Sequence, residues 1–212
     1  MQRFYRRLSP PRAARYNEYR AFLRYEFRFL CSYCGIHEDE YGVFEVDHFR
    51  PQARFPQLES DYANLYYSCR RCNNYKRDFW PSAEDEAAGL KFIDPCQEDL
   101  LGVHAEVLAC GALRAKTPAG DFTIGHLGLN RSALARWRRK RREQIQRHYE
   151  AVAGFKETLT SFDEVLREVE GGRAKLPAEL VARLRRSRAD CEIQLEEVLQ
   201  HFGPVQKPID ED

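Results

Sequence analysis

No run of 18 apolar residues occurs anywhere in the chain, which excludes an ordinary membrane-spanning helix. The basic opening Met-Gln-Arg-Phe-Tyr-Arg-Arg is not followed by the apolar stretch of a secretory signal, so the cytoplasm is the expected compartment and a membrane is not an expected partner. Internal repeats are missing as well, which argues against stacked or radial repeat architectures. Disulfides are not expected: the cysteine count of seven is odd, and four of the seven sit at metal-type spacing. Cys96, Cys110 and Cys191 are scattered, as free thiols or small core residues are in a reducing compartment.

What is present is the composition of a globular protein, with 43% hydrophobic and 32% charged residues. A length of 212 residues suffices for one good core, or for a small metal-stapled module with a second layer of helices. The net charge of +1 conceals local asymmetry: residues 1–30 carry eight Arg against Glu18 and Glu26. Residues 131–147 carry Arg131, Arg136, Arg138, Arg139, Lys140, Arg141, Arg142 and Arg147 against Glu143 alone. Such clusters either contact phosphates, releasing condensed counterions, or form a solvated helix face.

Taken in order, residues 10–30 read as a helix capped by Ser9, with Pro10 and Pro11 in its first turn and Tyr16, Tyr19, Phe22, Leu23, Phe27 and Leu30 on one face. Ile36 to Gly42 reads as an acidic loop, and Val43 to Val46 as a short strand that delivers Asp47 and His48 at its end. Pro51 and Pro56 predict an irregular connection, with a loop over Gln52–Ser60 and a helical turn at Asp61–Asn64. A helix is predicted over Cys72–Phe79, ended by Trp80-Pro81, then a mobile acidic stretch over Ser82–Ala88. Val103–Leu108 and Ala112–Lys116 suggest a hairpin turning at Cys110-Gly111. Ile124 to Leu129 reads as a short helix and Arg131 to Glu170 as a long one, ended by Gly171-Gly172. Pro177 opens a last helix to Phe202, and the two long helices should form an antiparallel hairpin because each has an apolar stripe to bury.

The informative stretch runs from Cys31 to Lys76. Cys31-Ser-Tyr-Cys34 and Cys69-Arg-Arg-Cys72 are two C-x2-C pairs 34 residues apart, the ligand count and spacing of a four-thiolate structural Zn²⁺ site. Between and just after them lie Asp47-His48, Asn64 and Cys72-Asn73-Asn74-Tyr75-Lys76. This order resembles the HNH endonucleases, whose ββα-metal core binds one catalytic divalent ion and is often stapled by two zinc knuckles. A longer pattern resembles the HNH proteins found beside retrons and in Septu-type phage defence. It runs through Val46-Asp-His-Phe-Arg-Pro, Tyr62-Ala-Asn-Leu-Tyr-Tyr-Ser-Cys-Arg-Arg-Cys-Asn, Phe92-Ile-Asp-Pro and Leu127-Gly-Leu-Asn-Arg131.

The expected chain is α+β: the resemblance implies a zinc-stapled HNH core with its N-terminal helix over 1–120, and the mainly helical region over 121–212, with more apolar stripe than a small core requires, is a candidate partner-docking or DNA-contacting hairpin. It implies His48 as general base, and Asp47 with the side-chain oxygen of Asn73 as ligands of Mg²⁺ or Mn²⁺, oxygen donors suited to a hard cation. Asn74 is the alternative to Asn73. Asn64 would hold the His-bearing loop through its backbone, and Lys76, one helical turn beyond Asn73, and Arg50 would touch a substrate phosphate. The implied partners are DNA and an ATPase, with oligomerisation possible through the C-terminal helices. A non-catalytic zinc adaptor and an RNase are the competing readings.

Overall fold

The computed structural model describes Phe4 and residues 15–202, with side chains to 199. The Ser9 cap with Pro10 and Pro11 lies outside the described residues. A 3-10 turn at Tyr16–Tyr19 leads into α1, Arg20–Glu26. The helix stops four residues short of the predicted end because Arg28 and Phe29 take positive φ angles of 54° and 61°. Left-handed backbone at two non-glycine residues costs on the order of 1 kcal/mol each, and it turns the chain so that Cys31 enters a tight knuckle. Gly35, at φ 72°, closes that knuckle, with its N–H donating to the Cys31 carbonyl at 2.9 Å.

The acidic stretch predicted as loop contains a short helix, α2, Glu38–Tyr41, with the His37 ring accepting from the Asp39 N–H at 3.3 Å. Strand β1, Phe44–His48, pairs antiparallel with β2, Leu65–Cys69, in a register that sets Asp47 opposite Tyr66 and His48 opposite Leu65. Helix α3, Arg70–Lys76, follows β2 without a loop and ends at Arg77, φ 49°. These three elements are the ββα unit.

A two-stranded ribbon is marginal alone. Here α1 packs on it, and Phe27, Tyr66, Tyr67, Leu65 and Leu23 are fully buried in one cluster. Burying each such side chain contributes about 1.5–3 kcal/mol. Arg24 reaches across from α1 to bind the Glu38 carboxylate, with Nε–Oε1 at 2.7 Å, and the Tyr67 hydroxyl donates to the same carboxylate at 2.5 Å. Bonding to Arg24, against a smaller opposing effect of burial, holds the Glu38 carboxyl down at about 2. A depressed folded-state pKa gives stability that is present above the ordinary glutamate range and lost as pH falls towards the folded value. Glu38→Gln is therefore expected to flatten the acid limb of the stability profile between about pH 5 and pH 2, read by urea midpoints across that window.

The stretch expected to be mobile is instead helix α4, Ala83–Ala87, closed by a capping box between Ser82 and Asp85. The predicted hairpin is present as β3, Ala105–Val107, and β4, Leu113–Ala115. Helix α5, Pro118–His126, begins earlier than predicted because Thr117 caps it, accepting from the Gly120 N–H at 3.0 Å with Pro118 in the first turn. Helix α6, Ser132–Glu170, and α7, Ala178–Phe202, follow.

The chain divides into two compact units, Met1–Arg139 and Lys140–Asp212. The division falls inside α6 rather than near residue 120, because α5 packs on β4 and Asn130 binds both the N–H and the carbonyl of Leu113, at 2.7 and 2.9 Å. Gly111, at φ 85°, lies so close to α6 that a Cβ there would stand 2.0 Å from the Ala135 carbonyl oxygen. Within the second unit α6 and α7 run antiparallel, with Arg188 paired to Asp163 at 2.6 Å and Arg185 to Glu170 at 2.9 Å. Among the described residues no helix is long and apolar enough to cross a membrane.

Candidate active site

The four sulfurs of Cys31, Cys34, Cys69 and Cys72 lie within 4.8 Å of one another, all buried. Tetrahedral Zn–S bonds of about 2.3 Å place sulfurs about 3.8 Å apart, and Cys34 and Cys69 stand at 3.9 Å. The cluster thus has the donor set and spacing of a four-thiolate zinc site. One pair comes from the knuckle after α1. The other is supplied by the cap residue and first turn of α3, so an ion there fastens β2 and α3 to the knuckle. The Ser32 N–H adds a bond to the Tyr67 carbonyl at 2.8 Å.

Strand alternation separates the side chains of β1 onto two faces. On the α3 face, Lys76 is buried, its ammonium 3.2 Å from Asp47 Oδ1 and donating to the His48 carbonyl at 2.5 Å. The hydroxyl of Tyr33, from between the two knuckle cysteines, donates to the other Asp47 oxygen. Two residues earlier on β1, Glu45 accepts from Asn73 Nδ2 at 3.2 Å and pairs with Arg70 at 2.6 Å. Glu45 and Asp47 on the strand therefore face Asn73 and Lys76 on the helix. Burial pushes the Asp47 carboxyl up, opposed by the attraction of Lys76.

Lys76 is thus not on an open surface where a phosphate would meet it; it braces Asp47 and the backbone of His48. Its aliphatic stem runs inward through the ββα unit, and the one-turn offset from Asn73 aims it at the strand. Asn74 is exposed.

His48 lies on the other face. Its ring packs edge-on to Tyr16, centroids 4.7 Å apart, and Nε2 stands 2.9 Å from the Glu59 carbonyl oxygen. A carbonyl only accepts, so Nε2 carries a proton, and in the neutral ring the lone pair is then on Nδ1. The segment after His48 is tied by Asn64: its Oδ1 accepts from the Arg50 N–H at 2.8 Å, and its Nδ2 donates to the carbonyls of Arg50 and Leu58 at 3.0 and 3.3 Å. The Arg50 side chain is exposed, with its guanidinium 5.5 and 5.6 Å from the Phe55 and Trp80 rings. Asn64→Ala is expected to cost about 2 kcal/mol or more, since three bonds to backbone vanish at once. It should lower any hydrolysis rate further than that loss of stability predicts. Urea melts beside single-turnover rates measure both.

The structure therefore brings Asp47, Asn73 and Lys76 to one side, with Glu45, and leaves the His48 ring on the other. A cavity of about 460 Å³ between α1 and β1, lined in part by Arg20, Arg24, Glu38 and Phe44, includes none of these residues.

Residues 31–79 match the family model described as HNH endonuclease. This segment is an HNH endonuclease domain. A stretch of 47 residues is 43% identical to "Septu protein PtuB" of Bacillus thuringiensis, covering 22% of this chain and 18% of that protein. The match supports the narrower resemblance to Septu-associated HNH proteins, while spanning less than a fifth of the relative's length. Sequence reasoning missed Tyr33 and Glu45 of the HNH domain. Tyr33 carried one available signal, its position between two ligand cysteines.

Proposed function

We propose that the chain is a metal-dependent endonuclease that hydrolyses DNA phosphodiester bonds in anti-phage defence, together with an ATPase partner. The observation that carries this reading is the contact of His48 Nε2 with the Glu59 carbonyl inside the HNH domain: an imidazole held there, on a segment clamped by Asn64, can take a proton at Nδ1 when neutral. A water oxygen attacks phosphorus, its proton passes to His48 Nδ1, and the bond to the 3′ oxygen breaks.

Asp47 and the Asn73 amide oxygen fit a hard cation in donor chemistry. Each Asp47 oxygen keeps a second lone pair beyond its bond to Lys76 or Tyr33, and the Asn73 amide uses only its nitrogen on Glu45. A Mg²⁺ or Mn²⁺ ion held there would polarise the phosphate and neutralise the departing oxygen. Arg50, exposed beside the clamped segment, would contact a neighbouring phosphate. Structural Zn²⁺ would occupy the four-cysteine cluster.

The test is plasmid nicking by zinc-retaining protein depleted of Mg²⁺ and Mn²⁺, with either ion added back, run beside an RNA of matched length. Cleavage of plasmid on add-back supports the proposal, and cleavage of RNA alone would replace it with an RNase. The placement of Asp47 and His48 on opposite faces favours a second reading, a non-catalytic zinc adaptor. Salt-sensitive DNA binding without nicking under any hard cation would establish that one.

The second unit is where we place the ATPase. Val165, Leu180, Ile193 and Leu199 are each more than two-fifths exposed on this two-helix hairpin, whereas Leu166 and Cys191 are buried. Co-expression with the proposed ATPase partner should co-purify the full chain but not one lacking residues 160–212. A dimer by light scattering would assign the face to a second copy instead.

A further inference from the structure

We propose that Arg131 and Arg138 are the built-in counter-charge of a metal-loaded cysteine cluster, and that Arg131 sets how firmly the ion is retained. The proposal rests on the zinc reading of the cluster.

Four thiolates around one Zn²⁺ leave two units of negative charge in a buried place. Buried charge persists only when it is paired or hydrogen-bonded. Arg131 Nη2 stands 3.4 Å from Cys72 Sγ. Its other nitrogens are also engaged: Nη1 donates to the carbonyls of Leu127 and Gly128 at 3.2 and 3.1 Å, and Nε to the Tyr41 hydroxyl at 3.4 Å. The rings of Tyr41 and Tyr75 lie 5.7 and 5.6 Å from the guanidinium carbon, which fixes the fork in one orientation.

Arg138 is the second cation. It is only 9% exposed and bonds to the Gly111 carbonyl at 3.2 Å; burial pulls its pKa down to about 10, an effect that the cysteine sulfurs of Cys34 and Cys72 oppose and Arg131 adds to. Among the described residues neither guanidinium is paired with a carboxylate. Four neutral thiols would leave Arg138 buried with no counter-charge. Two guanidiniums beside a doubly negative zinc–thiolate centre balance it.

Arg131 acts through Cys72 and is a positioning residue. Its N–H···S bond withdraws electron density from the sulfur and keeps the ligand from swinging out. Because Cys72 precedes Asn73 on α3, the same bond also restrains the turn that carries Asn73.

The test uses full-length wild type, Arg131→Gln, Arg131→Lys and Arg138→Gln. Bound zinc is measured by mass spectrometry, its release to a colorimetric chelator is timed, and the sulfur-to-metal charge-transfer band is recorded after Co²⁺ substitution. Arg131→Gln is expected to release zinc at least about tenfold faster, the scale of losing a hydrogen bond around a metal ligand. Its Co²⁺ band should move to lower energy. Arg138→Gln should speed release without moving the band, since that side chain bonds no sulfur.

If Arg131→Gln does not fold, Arg131→Lys decides, because a point charge without the fork should retain part of the zinc affinity while shifting the band. Wild-type release rate and an unmoved band in the Arg131 variants would overturn the proposal while leaving zinc in place. Wild-type protein without stoichiometric zinc would overturn the zinc reading and the proposal together.

Discussion

His48→Ala is expected to lower Mg²⁺-dependent nicking by about 10²–10⁴-fold, the usual contribution of a positioned general base. Zinc content and the far-UV spectrum should be unchanged, because the ring's described polar contact is one bond to the Glu59 carbonyl and its packing partner is Tyr16. His48→Gln makes the comparison sharper. Its amide can still donate to the Glu59 carbonyl but has no basic nitrogen, so it should be as inactive as alanine while melting closer to wild type. Nicking by either variant within about threefold of wild type would remove His48 from the chemistry, since general-base loss costs far more.

The second large effect is on stability. Lys76→Met is expected to destabilise the protein by about 3–5 kcal/mol, the cost of removing one partner of a buried ion pair. Lys76 is 1% exposed, and its ammonium serves both Asp47 and the His48 carbonyl. The methionine fills a similar volume, so the loss reports charge and hydrogen bonds rather than a void. Combining it with Asp47→Asn should recover part of the loss, because the stranded carboxylate is then gone; contacting residues are where additivity fails. The measurement is a double-mutant cycle by urea unfolding. A Lys76→Met midpoint equal to wild type would show the ammonium standing in solvent, where a phosphate could reach it.

The domain was legible because its site residues are unusual in type and spacing. Two C-x2-C pairs announce a tetrahedral sulfur site, and Asp47-His48 with Asn64 and Asn73 announces the domain. Strand β2 was not legible: Leu65–Cys69 is buried at every position, so it shows no polar–apolar alternation, and two prolines upstream suggested irregular chain. Helices α2 and α4 were hidden by acidity, which resembles a solvated loop but also favours a first helical turn through the macrodipole.

Lys76 was misplaced for a different reason. Helical periodicity correctly puts it one turn from Asn73, but cannot say that a long amphipathic side chain runs inward to a carboxylate instead of outward to substrate. The hairpin over 105–115 and the antiparallel α6–α7 pair were legible from turn residues and from stripes with a short break between them.

Tyr33 gives the domain one further property. Its hydroxyl grips Asp47 from the turn between Cys31 and Cys34, so a phenol joins the cysteine cluster to the carboxylate proposed to hold a hard cation. On that reading, a chelator that strips zinc from the cluster would loosen that turn and its hold on the carboxylate. Inactivation would then follow at any magnesium concentration, and restoring the enzyme would require the softer ion first.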